Sequence, residues 1–321
     1  MREAAFTKQN HQKWKAFEDQ MAQTANTHPD KLAELFVEIT DDLSYAQTYY
    51  PQSKTTQYLN GLAVKAHQTI YRNKKEKQGR LLNFWTYEVP LAIQQARTPM
   101  RVSLIVFVLA ILAGIVSTYF DKDFPRFFLG NAYVNTTLDN IASGNPMGIY
   151  GDSGGTDMFF RITFNNIMVS FRVIALGILA SVFTCIELLR NGVMVGVFFT
   201  FLFNEGVLGT AMMTVWIHGV IEISSIVIAG GAGILLGNSI LFPGTYTRMQ
   251  SLKNNARTVA KIAVGLVPLF IVAGFLESFV TRHYKEPIVG ILSIGITLPF
   301  IVWYYIILPK KLHKKLYAQQ G

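Results

Sequence analysis

The chain has 321 residues, of which 50% are hydrophobic and only 15% charged, where a soluble domain carries about 25% charged residues. The deficit falls after residue 100, and this marks a membrane protein with a polar N-terminal region. The formal net charge of +9 does not point to nucleic acid: the basic residues cluster at the ends of apolar runs, and no DNA- or RNA-binding motif accompanies them.

The first ten residues, Met1 to Asn10, contain no hydrophobic run, so no cleavable signal peptide is expected and the first span would act as the insertion signal. Trp14, Phe17 and Met21 recur at helical spacing. Pro29-Asp30 opens a second helix with Leu32, Leu35, Phe36 and Ile39 on one face. After Pro51 and Ser53 a third carries Tyr58, Leu59, Leu62, Ala63, Ala66 and Ile70. Residues 1–80 therefore read as a small helical bundle, expected in the cytoplasm, with no chemical constellation. A basic junction follows at Arg72, Lys74, Lys75, Lys77 and Arg80. In 81–100, Leu81, Leu82, Phe84, Trp85 and Tyr87 suit a helix in the membrane interface, and Pro90 and Pro99 allow turns before the first span.

Six membrane segments are expected within 101–309. The first is 102–120, and the second is 162–186. Between them lies a loop, 121–158, holding Asp121, Asp123, Asp139, Asp152 and Asp157, with turns at Gly144-Asn145-Pro146 and Gly151 to Gly155. The third segment, 192–203, is only about 18 Å long as a straight helix and so reads as short or re-entrant. The fourth, 207–241, is too long and contains His218-Gly219, which suggests a break. The fifth is 262–280, the sixth is 288–308, and 310–321 is a basic tail. The expected fold is an all-α polytopic membrane bundle preceded by a small helical domain. The Lys/Arg asymmetry places both termini in the cytoplasm and the 121–158 loop outside the cell membrane.

The apolar segments hold many polar groups. Arg161, Asn165, Asn166 and Arg172 fall at the start of the second span and within it. Glu187, Arg190 and Asn191 mark its expected far end, and Glu277 lies near the end of the fifth. Intramembrane asparagines commonly hydrogen-bond between helices, and Arg172 has Glu222 or Glu277 as candidate partners. His218 and Glu222 stand one helical turn apart on a common face. Burying a charged residue at the bilayer centre costs roughly 2.5–3.5 kcal/mol on insertion scales. Three readings of this pair follow: a structural hydrogen-bonded pair, a proton or ion path, and a metal site completed by a second carboxylate.

The metal reading is the weakest of these. His-x-x-x-Glu is not the zinc-peptidase His-Glu-x-x-His. The other histidines (His11, His28, His67, His283 and His313) lie outside the expected spans. Ser170, Ser181, Ser224 and Ser225 lack a nucleophile motif. Cys185 is the single cysteine, which excludes an intrachain disulfide and a cysteine zinc site and reads as a buried thiol. No catalytic residue and no cofactor are expected. Gly230, Gly231, Gly233 and Gly237 do not follow a strand and read as close helix packing, as do Gly192 and Gly196.

An ordered series carries a resemblance. It runs from Asn165-Asn166 through Gly177, Leu188-x-x-Asn191-Gly192-x-x-x-Gly196, His218-Gly219-x-x-Glu222 and Ala229 to Gly233. It continues to Pro243-Gly244 and Ala273-Gly274-x-x-Glu277. Together with Phe84 to Arg97 before the first span, this series resembles the stage II sporulation protein M family of multi-pass membrane proteins, over about residues 80–309.

The resemblance implies a helical membrane fold with no established catalytic activity. It implies a scaffold that anchors peptidoglycan-degrading enzymes during engulfment, with relatives encoded near a MoxR-type ATPase. The expected role is a membrane scaffold, with 1–80 facing cytoplasmic partners and 121–158 facing envelope partners, and with self-association left open. The competing role is a transporter or channel using His218, Glu222 and Glu277, because a short segment beside a broken one is a transporter pattern. An intramembrane metalloenzyme is the third.

Overall fold

The computed structural model describes residues 2–22, 29–72, 79–148 and 155–318. The expected junction residues Lys74, Lys75 and Lys77, the turn at Gly151 to Gly154 with Asp152, and the side chains of Leu32, Leu35 and Ile70 lie outside the described residues. Every regular element among the described residues is helical, and the chain divides into two compact units, Met1–Arg80 and Leu81–Gly321.

The first unit holds α1 (Glu3–Ala22), α2 (Pro29–Tyr49) and α3 (Lys54–Arg72). The apolar stripes converge as their spacing requires: Trp14, Phe17, Ile39, Leu59, Leu62 and Ala66 are buried together. The Trp14 indole N–H is satisfied by Asp42, at 2.8 Å, and Lys13 pairs with the same carboxylate. The Ser53 hydroxyl accepts the Thr56 N–H at 3.1 Å and caps α3. Tyr58, expected on the core stripe, sits at the rim with its hydroxyl 3.2 Å from Glu18. Phe6 joins the core instead, against Tyr45 and Tyr50.

The second unit begins with α4 (Arg80–Asn83), a π-helical stretch Phe84–Glu88, and α5 (Val89–Gln95). Leu81 and Leu82 are exposed, whereas Val89, Ala92, Ile93 and Ala96 enter the main core. Lys261 ties to Glu88 at 2.9 Å. Among the described residues, six helices are then long and apolar enough to cross a membrane. They are α6 (Arg97–Phe120), α9 (Gly155–Ala175, continued by a 3-10 turn to Ile178), α10 (Val182–Asn204), α11 (Leu208–Leu241), α12 (Arg248–Phe275, continued by a π-helix Leu276–Val280) and α13 (Pro287–Val302, continued by a π-helix to Ile307). Between α6 and α9 the loop forms α7 (Phe124–Leu129) and α8 (Asn131–Ala142); Lys-rich α14 (Leu308–Tyr317) closes the chain.

Three expectations about the spans are corrected. The apolar run 162–186 is not one helix. Ala180 and Ser181 take positive φ values of 53° and 63° and turn the chain back. The buried Ser181 hydroxyl donates to the Ile234 carbonyl at 3.2 Å, which pins this turn to α11. Hydropathy runs unbroken through the turn, so the break is invisible to it. As a result the third segment is not short: α10 has 23 residues and spans.

The fourth segment is neither broken nor re-entrant. α11 is one helix of 34 residues, continuous through His218-Gly219. At about 51 Å it exceeds a ~30 Å hydrocarbon core, and tilt and projection beyond the core absorb the excess.

Glycines set the helix spacing. A side-chain methyl at Gly192 would press on Ala110 and the Phe107 carbonyl, and one at Gly196 would strike the Ile111 carbonyl, so α6 and α10 touch backbone to backbone. On α11, Gly230 faces Ser103 and Leu188, Gly231 faces Met100, Gly233 faces Thr184 and the Val173 carbonyl, and Gly237 faces Ser181. This series lets α11 run through the centre of the bundle with α6, α9 and α10 against it.

Candidate functional site

Near its middle the bundle is not filled. A cavity of about 680 Å³ is lined from α9 by Asn165, Asn166 and Arg172, and from α10 by Glu187, Arg190 and Asn191. His218 and Glu222 line it from α11, and Glu277 lines it from the π-helix that continues α12. Phe128 and Leu129 of α7 and Tyr133 of α8 contribute from the loop side. The polar residues expected inside the membrane, Arg161 apart, thus meet around one space.

The helical repeat explains the convergence on α11. His218 and Glu222 are four residues apart and point the same way. Asn166 donates its amide N–H to Glu222 Oε1 at 2.5 Å, linking α9 to α11. His218 is 3% exposed, with Nδ1 at 3.1 Å from Thr281 Oγ1 and Nε2 at 3.9 Å from Glu277 Oε1. Thr281 Oγ1 in turn donates to the Leu276 carbonyl at 3.0 Å. The Glu222 and Glu277 carboxylate oxygens approach one another to within 4.8 Å. One ligand atom from each of His218, Glu222 and Glu277 falls within 4.8 Å of the others, a separation a metal ion can close.

Arg172 is placed otherwise than expected. It pairs with Glu187 at 2.8 Å, not with Glu222 or Glu277. The turn at Ala180-Ser181 brings α10 back beside α9, so that Arg172, eight residues before Ala180, meets Glu187, six residues after Ser181. Asn191 does not cross between helices either: its amide donates to the Glu187 carbonyl one turn back, at 2.8 Å. Asn165 lines the cavity and is exposed along α9. The reading of the residues missed Thr281. A threonine four places after Glu277 was the available signal, but it lay beyond the expected end of the fifth span.

Residues 100–282 match the family described as stage II sporulation protein M, and residues 4–72 match a separate family described only as a domain of unknown function. No curated protein and no solved structure matches the chain. The sporulation-family match covers more than half of the chain, includes every polar residue of the cavity, and takes in five of the six candidate spans. The chain is a multi-pass integral membrane protein and belongs to the stage II sporulation protein M family.

Proposed function

We propose that the protein is a membrane scaffold that organises an envelope-associated complex in the cell membrane. The observation that carries this reading is modularity. A helical unit with its own aromatic core, matching a family of its own, precedes a separately compact membrane unit. Such a head fits protein partners on one side of the membrane, while α7 and α8 offer a second folded surface at the opposite ends of the spans. In this reading the basic ends of the spans and both termini are cytoplasmic. Family resemblance suggests peptidoglycan-processing enzymes and a MoxR-type ATPase as partners, with self-association as a further contact. No catalytic step is assigned. Crosslinking in native membranes tests the reading: the full chain should recover envelope or cytoplasmic partners, and a variant lacking 1–72 should lose the cytoplasmic ones. Recovery of lipid alone would remove the scaffold role.

A second reading, transport or conduction, is favoured by the cavity itself. Its ionisable lining near mid-membrane is what a proton or cation path needs. The continuity of α11 removes the broken-helix argument for it. Flux across proteoliposomes, abolished by Glu222→Gln, would support this reading; no flux of protons, cations or small solutes would eliminate it.

A further inference from the structure

We propose that a groove between α6 and α13 holds one phospholipid with an anionic headgroup. Its acyl chain would lie along α11 and its phosphate on Arg97, Arg101 and Lys310. The inference rests on the chain being a membrane protein and is independent of the scaffold and transport readings.

The first argument is the shape of the bundle. α6 and α13 both pack on α11. Between them lies a groove of about 460 Å³, floored by Ile223, Val227 and Ile228 of α11. Leu104 and Val108 of α6 and Ile306 after α13 line it and are about half exposed, so it opens sideways, where hydrocarbon lies. None of the ionisable residues of the polar cavity takes part in it.

The second argument is charge. Arg97 and Arg101 stand one turn apart on one face of α6. α14 packs on α5, which leads into α6, and so Lys310 joins them at the same end of the groove. All three are exposed, and among the described residues none is in an ion pair. No acidic residue lines the groove. Three cations at the end of an apolar trough complement a molecule that is anionic at one end and hydrocarbon at the other, and basic pockets at the ends of membrane helices bind lipid headgroups in this way. A partner helix fits less well. Its own basic flank would meet these cations by the positive-inside bias, as would that of a second copy of this chain.

The third argument is depth. From Arg101 the groove follows α6 as far as Ile111, ten residues or about 15 Å of helix. A hydrocarbon core of ~30 Å gives each leaflet about 15 Å. The groove is therefore one leaflet deep, the reach of a single lipid. Gln94 lines it beside the basic end, and its amide can donate to a phosphate oxygen. Tyr305 is in the wall five residues before Lys310, and its buried hydroxyl has no hydrogen-bond partner among the described residues. A phospholipid brings ester carbonyls, which are acceptors, to this level below its phosphate.

The test uses the full chain, purified in detergent and delipidated. Dioleoyl phosphatidylglycerol and dioleoyl phosphatidylcholine are offered in equal amounts, and bound lipid is counted by native mass spectrometry. About one phosphatidylglycerol per chain should be retained, in preference to phosphatidylcholine by at least about tenfold, since each basic residue near an anionic headgroup is worth roughly fivefold. Phosphatidylglycerol alone should raise the thermal midpoint of the wild type, a readout that needs no variant to fold. The combined variant Arg97→Gln/Arg101→Gln/Lys310→Gln should lower the preference to about twofold or less, whereas the same charge change at Arg248, Lys253 and Lys314 should leave it in place. Leu104→Trp fills the trough at a half-exposed position without touching the cations, and should lower retention at least about fivefold. A monodisperse wild type with no preference for phosphatidylglycerol overturns the proposal. So does an equal loss in the Arg248, Lys253 and Lys314 variant. Displacement of the lipid by glycerol phosphate would show an anion site without an acyl chain. A change of oligomeric state in Leu104→Trp with lipid retention intact would assign the groove to a second copy. Either of these also overturns the proposal.

Discussion

Asn166 on α9 donates to Glu222 on α11 at 2.5 Å and is the polar link between these two helices at the cavity. A carboxylate accepting from an amide inside a bundle is a strong contact, and removing the donor leaves the acceptor unmet. Asn166→Ala should lower unfolding stability in detergent by about 1–3 kcal/mol. A double-mutant cycle with Glu222→Ala should return a coupling of about 1–2 kcal/mol. Additive losses would mean that the two side chains contribute independently and that the contact holds nothing.

Close packing at glycine gives a second, paired prediction. A methyl at Gly237 would strike Ser181 within the α9–α10 turn, where backbone cannot yield. Gly237→Ala should cost about 1–3 kcal/mol. Gly295, in α13, has nothing within 4 Å of the corresponding position. Gly295→Ala should be neutral or stabilise by up to about 1 kcal/mol through helix propensity. Thermal melts of both variants in one detergent decide it, and equal effects would contradict the packing argument.

Much of this architecture was legible in the sequence because burial in lipid is a strong compositional signal. The all-helical class and most of the apolar segments follow from hydropathy. The i, i+4 spacing places His218 and Glu222 on one face of whichever helix holds them. The turn at Ala180-Ser181 was not legible: Ala180 is no turn former, a lone serine is common within spans, and Leu176, Ile178, Leu179 and Val182 read as uninterrupted span. Missing that turn displaced the boundaries of two spans and hid the antiparallel register that joins Arg172 to Glu187. The roles of Glu277 and Thr281 depend on a π-helix, which no hydrophobic period announces.

The α9–α10 turn is itself open to test. A β-branched residue in the left-handed region is strained, by roughly 1–3 kcal/mol. Ala180, with φ of 53°, should therefore tolerate glycine and reject valine. Ala180→Gly should change stability by less than about 0.5 kcal/mol, because relief of strain offsets the added chain entropy. Ala180→Val should cost about 2 kcal/mol or more. If valine were tolerated as glycine is, the reversal at this position would be wrong.

In the N-terminal unit, Trp14 combines full burial with a hydrogen bond to Asp42. Trp14→Ala should remove about 3–5 kcal/mol, roughly half of the stability usual for a unit of this size at about 0.1 kcal/mol per residue, and so raise its unfolded fraction by about a hundredfold or more. Limited proteolysis of the full chain should then cut within 1–80 and leave the membrane unit intact. Asp42→Asn, which keeps an acceptor for the indole, should cost no more than about 1 kcal/mol. A protease-resistant Trp14→Ala head would show that its core lies elsewhere.

The proposed orientation rests on the even number of candidate spans among the described residues and on the placement of charge. Arg97, Arg101, Arg248, Lys253, Arg257, Lys310, Lys311, Lys314 and Lys315 all belong to the same ends of the six helices, and α7 and α8 belong to the opposite ends. The positive-inside rule retains such basic ends in the cytoplasm. In a Cys185→Ser background, which removes the single native thiol, Asp121→Cys should react with a membrane-impermeant maleimide in intact cells. Lys314→Cys should react only after the membrane is opened. Labelling of both from outside would require an even number of crossings between the two positions and would remove either the α9–α10 turn or one of the assigned spans. Labelling of Lys314→Cys alone would keep the six helices and invert the assigned orientation. The pair of variants therefore tests the helix count and the charge rule separately, because each error gives its own labelling pattern.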